Sequence, residues 1–358
     1  MSITKHLTSG AVRLAGGLLL LLGSSGVWAD YALNFQRPVT EIAKDQYDLH
    51  MLIFTICVVI FVLVFGVMFY SLFTHRKSKG HKAAHFHEST TIEVVWTVIP
   101  FLILVGMAIP STATLLKMED TSDADLTLKI TGYQWKWQYE YMDQGVSFFS
   151  TLSTPREQIE NAAAKDEHYL LEVDKHVVLP VGKKVRLLVT ANDVIHAWWV
   201  PQLGVKKDAI PGFINELWTR IDEPGIYRGQ CAELCGKDHG FMPIVVEAVP
   251  EDQFNAWVED QKKMVASASA DATKEWTQDD LIAHGEEVYK ANCVACHGAE
   301  GKGVPNVFPA LSGSAIATGP IGDHLNIVMN GKAGTAMQAF AKQLNDVDIA
   351  AVVTFERN

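Results

Sequence analysis

Apolar positions in this chain are bunched rather than spread. Residues 49–73 contain no Asp, Glu, Lys or Arg, and neither do residues 94–116. A helix needs about 20 apolar residues to cross the hydrocarbon of a bilayer, and both runs meet that length. Arg76, Lys77, Lys79 and Lys82 stand between them, and positive residues collect on the cytoplasmic side of membrane spans. The pattern predicts a two-helix transmembrane hairpin within residues 30–118, with spans at about 49–73 and 92–116. Everything after about Met118 is then expected outside the cytoplasm. Pro100 and Pro110 fall within the second span, where neighbouring groups can satisfy the freed carbonyls. Glu93 sits at the start of that span, and an acid at a membrane edge is either a wet interfacial group or a functional one.

A shorter apolar run lies at the start of the chain. Lys5 and Arg13 precede it, Leu18 to Leu22 form its core, and Val27-Trp28-Ala29 closes it. That layout predicts a secretory signal over residues 1–29, with the mature chain beginning at Asp30.

Beyond the hairpin the period changes. Leu126-Thr-Leu-Lys-Ile-Thr alternates, and Val185-Arg-Leu-Leu-Val-Thr is rich in β-formers. Pro180, Gly182, Pro211, Gly212, Pro224 and Gly225 punctuate the stretch. Residues 119–252 therefore read as short antiparallel strands in a sandwich or barrel. Small and polar residues dominate 265–273, so 253–275 reads as a linker. An amphipathic stretch around 281–289 and a closing helix from Asp346 give a third, all-α unit over 276–358.

The formal net charge of the 358 residues is -11, which argues against a nucleic-acid partner. The third unit carries 9 Asp or Glu against 5 Lys or Arg, a surface suited to a basic soluble protein. Five cysteines are present, Cys57 in the first span and four in two short motifs, which is not a disulfide scaffold.

The first motif is Cys231-Ala-Glu-Leu-Cys235-Gly-Lys-Asp-His239-Gly-Phe-Met242. Soft sulfur with imidazole suits copper. Two Cys and two His would also fit zinc, but the thioether of Met242 favours copper. The local set lacks a second imidazole, and His196 in Val194-Ile-His-Ala-Trp-Trp-Val-Pro201 is the candidate for it. Two Cys on one short loop are suited to bridging two copper ions. The second motif, Cys293-Val-Ala-Cys296-His297, has the spacing of covalent haem c attachment. Its two thiols form thioethers and its imidazole ligates iron.

His196 together with Cys231-x-Glu233-x-Cys235-x-x-x-His239-x-x-Met242 resembles the dinuclear copper centre (CuA) of cytochrome c oxidase subunit II. The aromatic run from Gly132 to Tyr141 and Asp208-Ala-Ile-Pro-Gly212 resemble the same family, over about residues 30–249. The resemblance implies a Greek-key, cupredoxin-like β-barrel. It implies that Cys231 and Cys235 bridge the coppers, that His196, His239 and Met242 are terminal ligands, and that the Glu233 carbonyl completes the site. It further implies a magnesium ion shared with subunit I through the Glu233 carboxylate, electron arrival at Trp135, and a proton-uptake mouth at Glu93. Trp137 reads as core.

The third unit resembles a small class I cytochrome c. Met337, 40 residues after His297, matches the axial methionine, with Met329 as the fallback. The family usually has a proline near this methionine, whereas Gln338 follows it here. Together the resemblances imply the caa3 kind of proton-pumping haem-copper oxidase. Its partners would be subunit I with haem a, subunit III, a cytochrome c donor and the lipid bilayer. Its place would be a bacterial inner membrane, with the copper and haem units on the periplasmic side. A membrane-tethered copper carrier is the competing reading, and it would need none of Glu233, Glu93 and Trp135.

Overall fold

The structure, a computed structural model, describes residues 34–358 apart from 83, 84, 86, 272, 273 and 342. The expected signal segment, 1–29, lies outside the described residues. Two long helices open the described chain, α1 (Glu41–Thr74) and α2 (Thr90–Glu119), both long and apolar enough to cross a membrane. Their apolar windows are not buried by the chain itself, so their side chains face another medium or another protein. A basic turn joins them, closed by Gly80 at φ 82°. Pro100 and Pro110 lie inside α2 without ending it.

The outer ends of these helices are tied to the domain that follows. Thr40 caps α1 by accepting the N–H of Ala43 at 3.0 Å, and its hydroxyl donates to the Leu203 carbonyl at 2.8 Å. Gly204 faces that start at φ 67°, and a Cβ there would come within 2.8 Å of Ala43 Cα, so only glycine fits. Lys117 near the end of α2 pairs with Asp45 and Glu41, each at 2.5 Å. Trp218 donates to the Lys117 carbonyl at 2.9 Å.

Among the described residues, ten strands follow: β1 (Leu126–Tyr133), β2 (Lys136–Tyr141), β3 (Val146–Ser150), β4 (Val177–Pro180), β5 (Val185–Ala191), β6 (His196–Val200), β7 (Val205–Ala209), β8 (Asn215–Thr219), β9 (Gly225–Cys231) and β10 (Pro243–Val249). A one-turn helix, α3 (Arg156–Ile159), interrupts them after β3. They form two five-stranded sheets, ordered β3-β2-β1-β5-β8 and β4-β10-β9-β6-β7. The cupredoxin-like frame is thus a two-sheet sandwich. The alternation predicts antiparallel strands throughout, but β1 pairs with β5, and β4 with β10, in parallel. Alternation of apolar residues says which face of a strand is buried and nothing of its direction, so these two pairs are invisible to the pattern.

The core lies between the sheets. In β5, Val185, Leu187, Val189 and Ala191 are buried while Arg186, Leu188 and Thr190 are half-exposed. In β2, Trp137, Tyr139 and Tyr141 point inward. Their polar tips are paired: Trp198 donates to the Tyr139 hydroxyl at 3.2 Å, and Tyr141 donates to the Val178 carbonyl at 2.9 Å. Pairing is required, because an unpartnered polar group in the core costs about 1–3 kcal/mol.

Most of the stretch expected as a linker, up to Asp271, is helical. α4 (Glu251–Asp271) starts directly after β10, and its first turns lay Phe254, Trp257 and Val258 on the sandwich, with Trp257 against Tyr141 at 5.1 Å between ring centroids. The low-complexity composition of 265–273 conceals this apolar first half. The final unit holds α5 (Gln278–Asn292), α6 (Val294–His297), α7 (Ile321–Asn330) and α8 (Asp346–Glu356). Thr277 and Asn345 cap α5 and α8 through their side chains. Val288, Tyr289, Val328, Ile349, Val352 and Val353 form a separate small core.

Candidate metal centre

The loop after β9 brings the candidate copper donors together at one end of the sandwich. Cys231 is the last residue of β9 and His196 the first of β6. β6 and β9 are hydrogen-bonded neighbours, so residues 35 apart in sequence meet: His196 Nδ1 lies 3.9 Å from Cys231 Sγ. The Cys231 and Cys235 sulfurs are 3.8 Å apart. His239 Nδ1 and Met242 Sδ each lie 3.6 Å from Cys235 Sγ. The Glu233 carbonyl is 3.4 Å from Cys231 Sγ. Cys231, Cys235, His196 and Met242 are buried, while Glu233 and His239 are half-buried. Among the described residues, His196, Cys231 and Cys235 are the one group of three or more His, Cys, Asp or Glu with converging donor atoms.

The chemistry of this donor set fits copper. Three sulfurs and two imidazoles are soft to borderline ligands, and the charge needed is at hand. The hydrogen bond from Cys235 pulls Cys231 well below the ordinary thiol value, and His196 and backbone N–H groups add to it. The same bond pushes Cys235 up, so the two thiols differ in how readily they give up a proton, and metal binding competes with protons for both. Burial of His196 disfavours its charged form, but its bonds to Asp193 and Cys231 outweigh this and raise its proton affinity.

Several residues around the donors were not singled out from sequence. Asp193 Oδ1 lies 2.9 Å from His196 Nε2, which takes the proton there and leaves Nδ1 facing the thiols. Asp193 Oδ2 accepts the backbone N–H of Gln134 at 2.8 Å. Trp137, expected in the core, is fully buried, and it also touches the centre. Its Nε1 donates to the Met242 carbonyl at 3.2 Å and its ring meets the His196 ring edge-on at 5.9 Å. Asp193 stands three residues before a candidate ligand, which was the only sequence signal it offered.

Trp135 is half-buried over the loop. Its Nε1 donates to the Cys235 carbonyl at 3.1 Å, and Gln134 Nε2 donates to the same oxygen at 2.8 Å. Gly236 follows at φ 117°, where a Cβ would press to 3.0 Å from the Trp135 ring. Glu93 lies far along the chain from these groups, exposed in the first turn of α2, where its Oε1 accepts the Ser89 N–H at 3.3 Å.

In the final unit, Cys293 follows α5 and His297 ends α6. His297 is buried, and its Nδ1 donates to the Pro309 carbonyl at 2.9 Å. That bond fixes the tautomer and frees Nε2 as a ligand atom, so the segment fits a haem c. Met337 packs against the same small core as Cys293 and Val294. Met329 is 37% exposed.

Comparison with known proteins reaches the hairpin, the sandwich and the final helical unit. Residues 126–249 match the family described as cytochrome c oxidase subunit II, periplasmic domain, and residues 28–114 match its transmembrane domain. Residues 280–355 match the family described as cytochrome c oxidase, cbb3-type, subunit III. A probable cytochrome c oxidase subunit 2 of Rickettsia bellii is 39% identical over 237 residues, 66% of this chain and 87% of that protein. Cytochrome c oxidase subunit 2 of Arabidopsis thaliana is 40% identical over 237 residues, 64% of this chain and 90% of that protein. The solved periplasmic domain of subunit II (CoxB) of Bradyrhizobium japonicum is 45% identical and covers 40% of this chain and 98% of its own, with a TM-score of 0.36. The copper motif at the end of a cupredoxin-like sandwich, the apolar hairpin before it and the haem motif after it are thereby accounted for together: the chain belongs to the cytochrome c oxidase subunit II family and carries a cytochrome c domain fused at its C-terminal side.

Proposed function

We propose that this chain is the electron-accepting subunit of a proton-pumping haem-copper oxidase. It takes electrons from a cytochrome c donor at its own haem c and delivers them through its copper pair to haem a of subunit I, where oxygen is reduced to water. When bound, the two groups supply one-electron redox chemistry without bond making. In this reading the chain divides into a signal at 1–29, a hairpin at 30–118, a copper unit at 119–252, a connection at 253–275 and a haem unit at 276–358.

The chain's own residues hold and orient these groups. Cys231 and Cys235 would hold the copper pair through their thiolates, His196, His239 and Met242 would ligate it further, and the Glu233 carbonyl would complete the set. The Glu233 side chain would share a magnesium ion with subunit I. Cys293 and Cys296 would attach the haem, and His297 and Met337 would ligate its iron. Trp135 stands between donor and copper, and Glu93 marks a proton-uptake mouth toward subunit I. Subunit III and the lipid bilayer complete the surroundings, in the inner membrane of a bacterium, with the chain crossing it twice and the redox units on the periplasmic side.

One observation carries the electron path. Lys237, two residues after Cys235, donates from Nζ to the carbonyl of Ala295 at 3.2 Å, and Ala295 lies between Cys293 and Cys296. The haem-attachment corner is therefore in contact with the copper ligand loop. The test is rapid mixing of reduced cytochrome c with the assembled oxidase, following haem c and copper absorption separately. Haem c should be reduced first and copper second. In Cys231→Ser or Cys235→Ser chains the copper signal shared by two nuclei should be lost while haem c stays attached. Copper reduced ahead of haem c would overturn the path.

A further inference from the structure

Gln338 stands directly after Met337, and its side chain leaves its own domain. Its Nε2 donates to the Gln134 carbonyl at 2.7 Å. Its Oε1 accepts from Gln343 Nε2 at 3.3 Å, which orients the amide so that the donor end faces Gln134. Gln134 in turn donates to the Cys235 carbonyl. Two amides in series thus join the Met337 segment to the Cys235 segment.

Lys136 makes the second connection. It is only 6% exposed, and a lysine so deep needs partners. Its Nζ donates to Asn292 Oδ1 at 2.9 Å, and Asn292 immediately precedes Cys293. The same ammonium stands 4.5 Å from the Phe149 ring centroid and 5.6 Å from that of Phe340, one ring on β3 and one on the Met337 loop. One cation is therefore shared between the copper domain and both halves of the haem-binding site.

We propose that Gln338 and Lys136 are positioning residues, a latch that seats the haem-binding unit on the 134–136 turn with its attachment corner and its Met337 loop facing the copper ligands. This rests on the electron path proposed above. A covalent connection alone supplies a high local concentration, and it does not set orientation. Directional hydrogen bonds do. The step so served moves one electron, oxidising the haem iron and reducing the copper pair, with no bond made and no proton transferred. In this reading the glutamine after Met337 is the group through which the cytochrome recognises its own copper domain.

The test uses the assembled oxidase with Gln338→Glu, which keeps the size but replaces the donor with an acceptor, and Lys136→Met, which keeps the apolar stem. Two readouts are followed. Hydrogen exchange is measured at the amides of 134–137 and 292–298. The rate of electron passage from haem c to copper is measured after flash reduction by a ruthenium complex. Exchange in both segments should rise, and the rate should fall, by about tenfold, equivalent to about 1.4 kcal/mol. The Met-ligated haem absorption and the copper resonance should stay as in the parent chain. Parent-like exchange and parent-like rate in both variants would sink the latch. If the parent chain passes no electron from haem c to copper, the electron path fails, and exchange still decides the latch. Should Gln338→Glu lose haem, Lys136→Met alone decides between latch and no latch.

Discussion

Asp193 holds His196 by its Nε2 at 2.9 Å, and so decides which imidazole nitrogen faces the two thiols. The carboxylate is itself pinned by the N–H groups of Gln134 and Val194, at 2.8 and 2.7 Å. Outer partners of this kind typically contribute about 10–100-fold in metal affinity. Asp193→Ala is expected to weaken copper binding by about that factor, with Asp193→Asn intermediate because an amide oxygen still accepts the Nε2 proton. Competitive copper titration of the folded apo chain measures this. Equal affinities in all three chains would show that the tautomer is set elsewhere.

Trp137 links the core to the centre through its bond to the Met242 carbonyl. Trp137→Phe removes that donor and leaves a buried oxygen unpaired, a loss of about 1–3 kcal/mol. Denaturant unfolding of the apo chain should show a lower midpoint, with the unfolding free energy reduced by that amount. The copper hyperfine pattern of the loaded chain should also change, since Met242 loses its backbone restraint.

Met337 and Met329 have opposite surroundings, one against the small core and one 37% exposed on α7. An axial methionine raises haem potential. Met337→Ala should therefore lower the haem c potential and abolish the absorption of Met-ligated haem, whereas Met329→Ala should leave both alone. Potentiometric titration of the two variants separates them, and the reverse outcome would reassign the ligand.

Lys136 also makes stability depend on pH. Burial pushes its pKa down to about 8 from the ordinary 10.5. Between those values the unfolded chain holds a proton that the folded chain has lost, so folded stability rises with pH across that window. Below about 8 the cost of burying the cation is fully present. Thermal midpoints of the parent chain and Lys136→Met, compared at several pH values, should shift in favour of the parent as pH rises from about 8 to 10.5. A pH-independent difference would mean that the ammonium is not held away from water.

Much of the architecture was legible because it is local. An apolar run is long enough to span a bilayer or it is not, so the hairpin needed no partner information; the helices found, Glu41–Thr74 and Thr90–Glu119, extend beyond the expected spans because polar residues continue the helix past the apolar run. Cys231, Cys235, His239 and Met242 lie on one short loop, so their spacing alone places their donor atoms close together. The same holds for Cys293, Cys296 and His297 within one helical turn.

Only tertiary structure decided what depends on distant pairing. His196 reaches Cys231 because β6 and β9 are neighbours, and the parallel pairing of β1 with β5 follows from chain crossover rather than from any alternation. The helix at 251–271 emerged where composition suggested a linker, since its apolar first turns find Tyr141 on the sandwich. The partners of Asp193, Gln134, Lys136 and Gln338 were equally unreadable. The physical reason is the same for all four. A polar group drawn out of water must find a complementary group in space, and sequence records the donor and the acceptor without recording which fold will bring them within hydrogen-bonding reach.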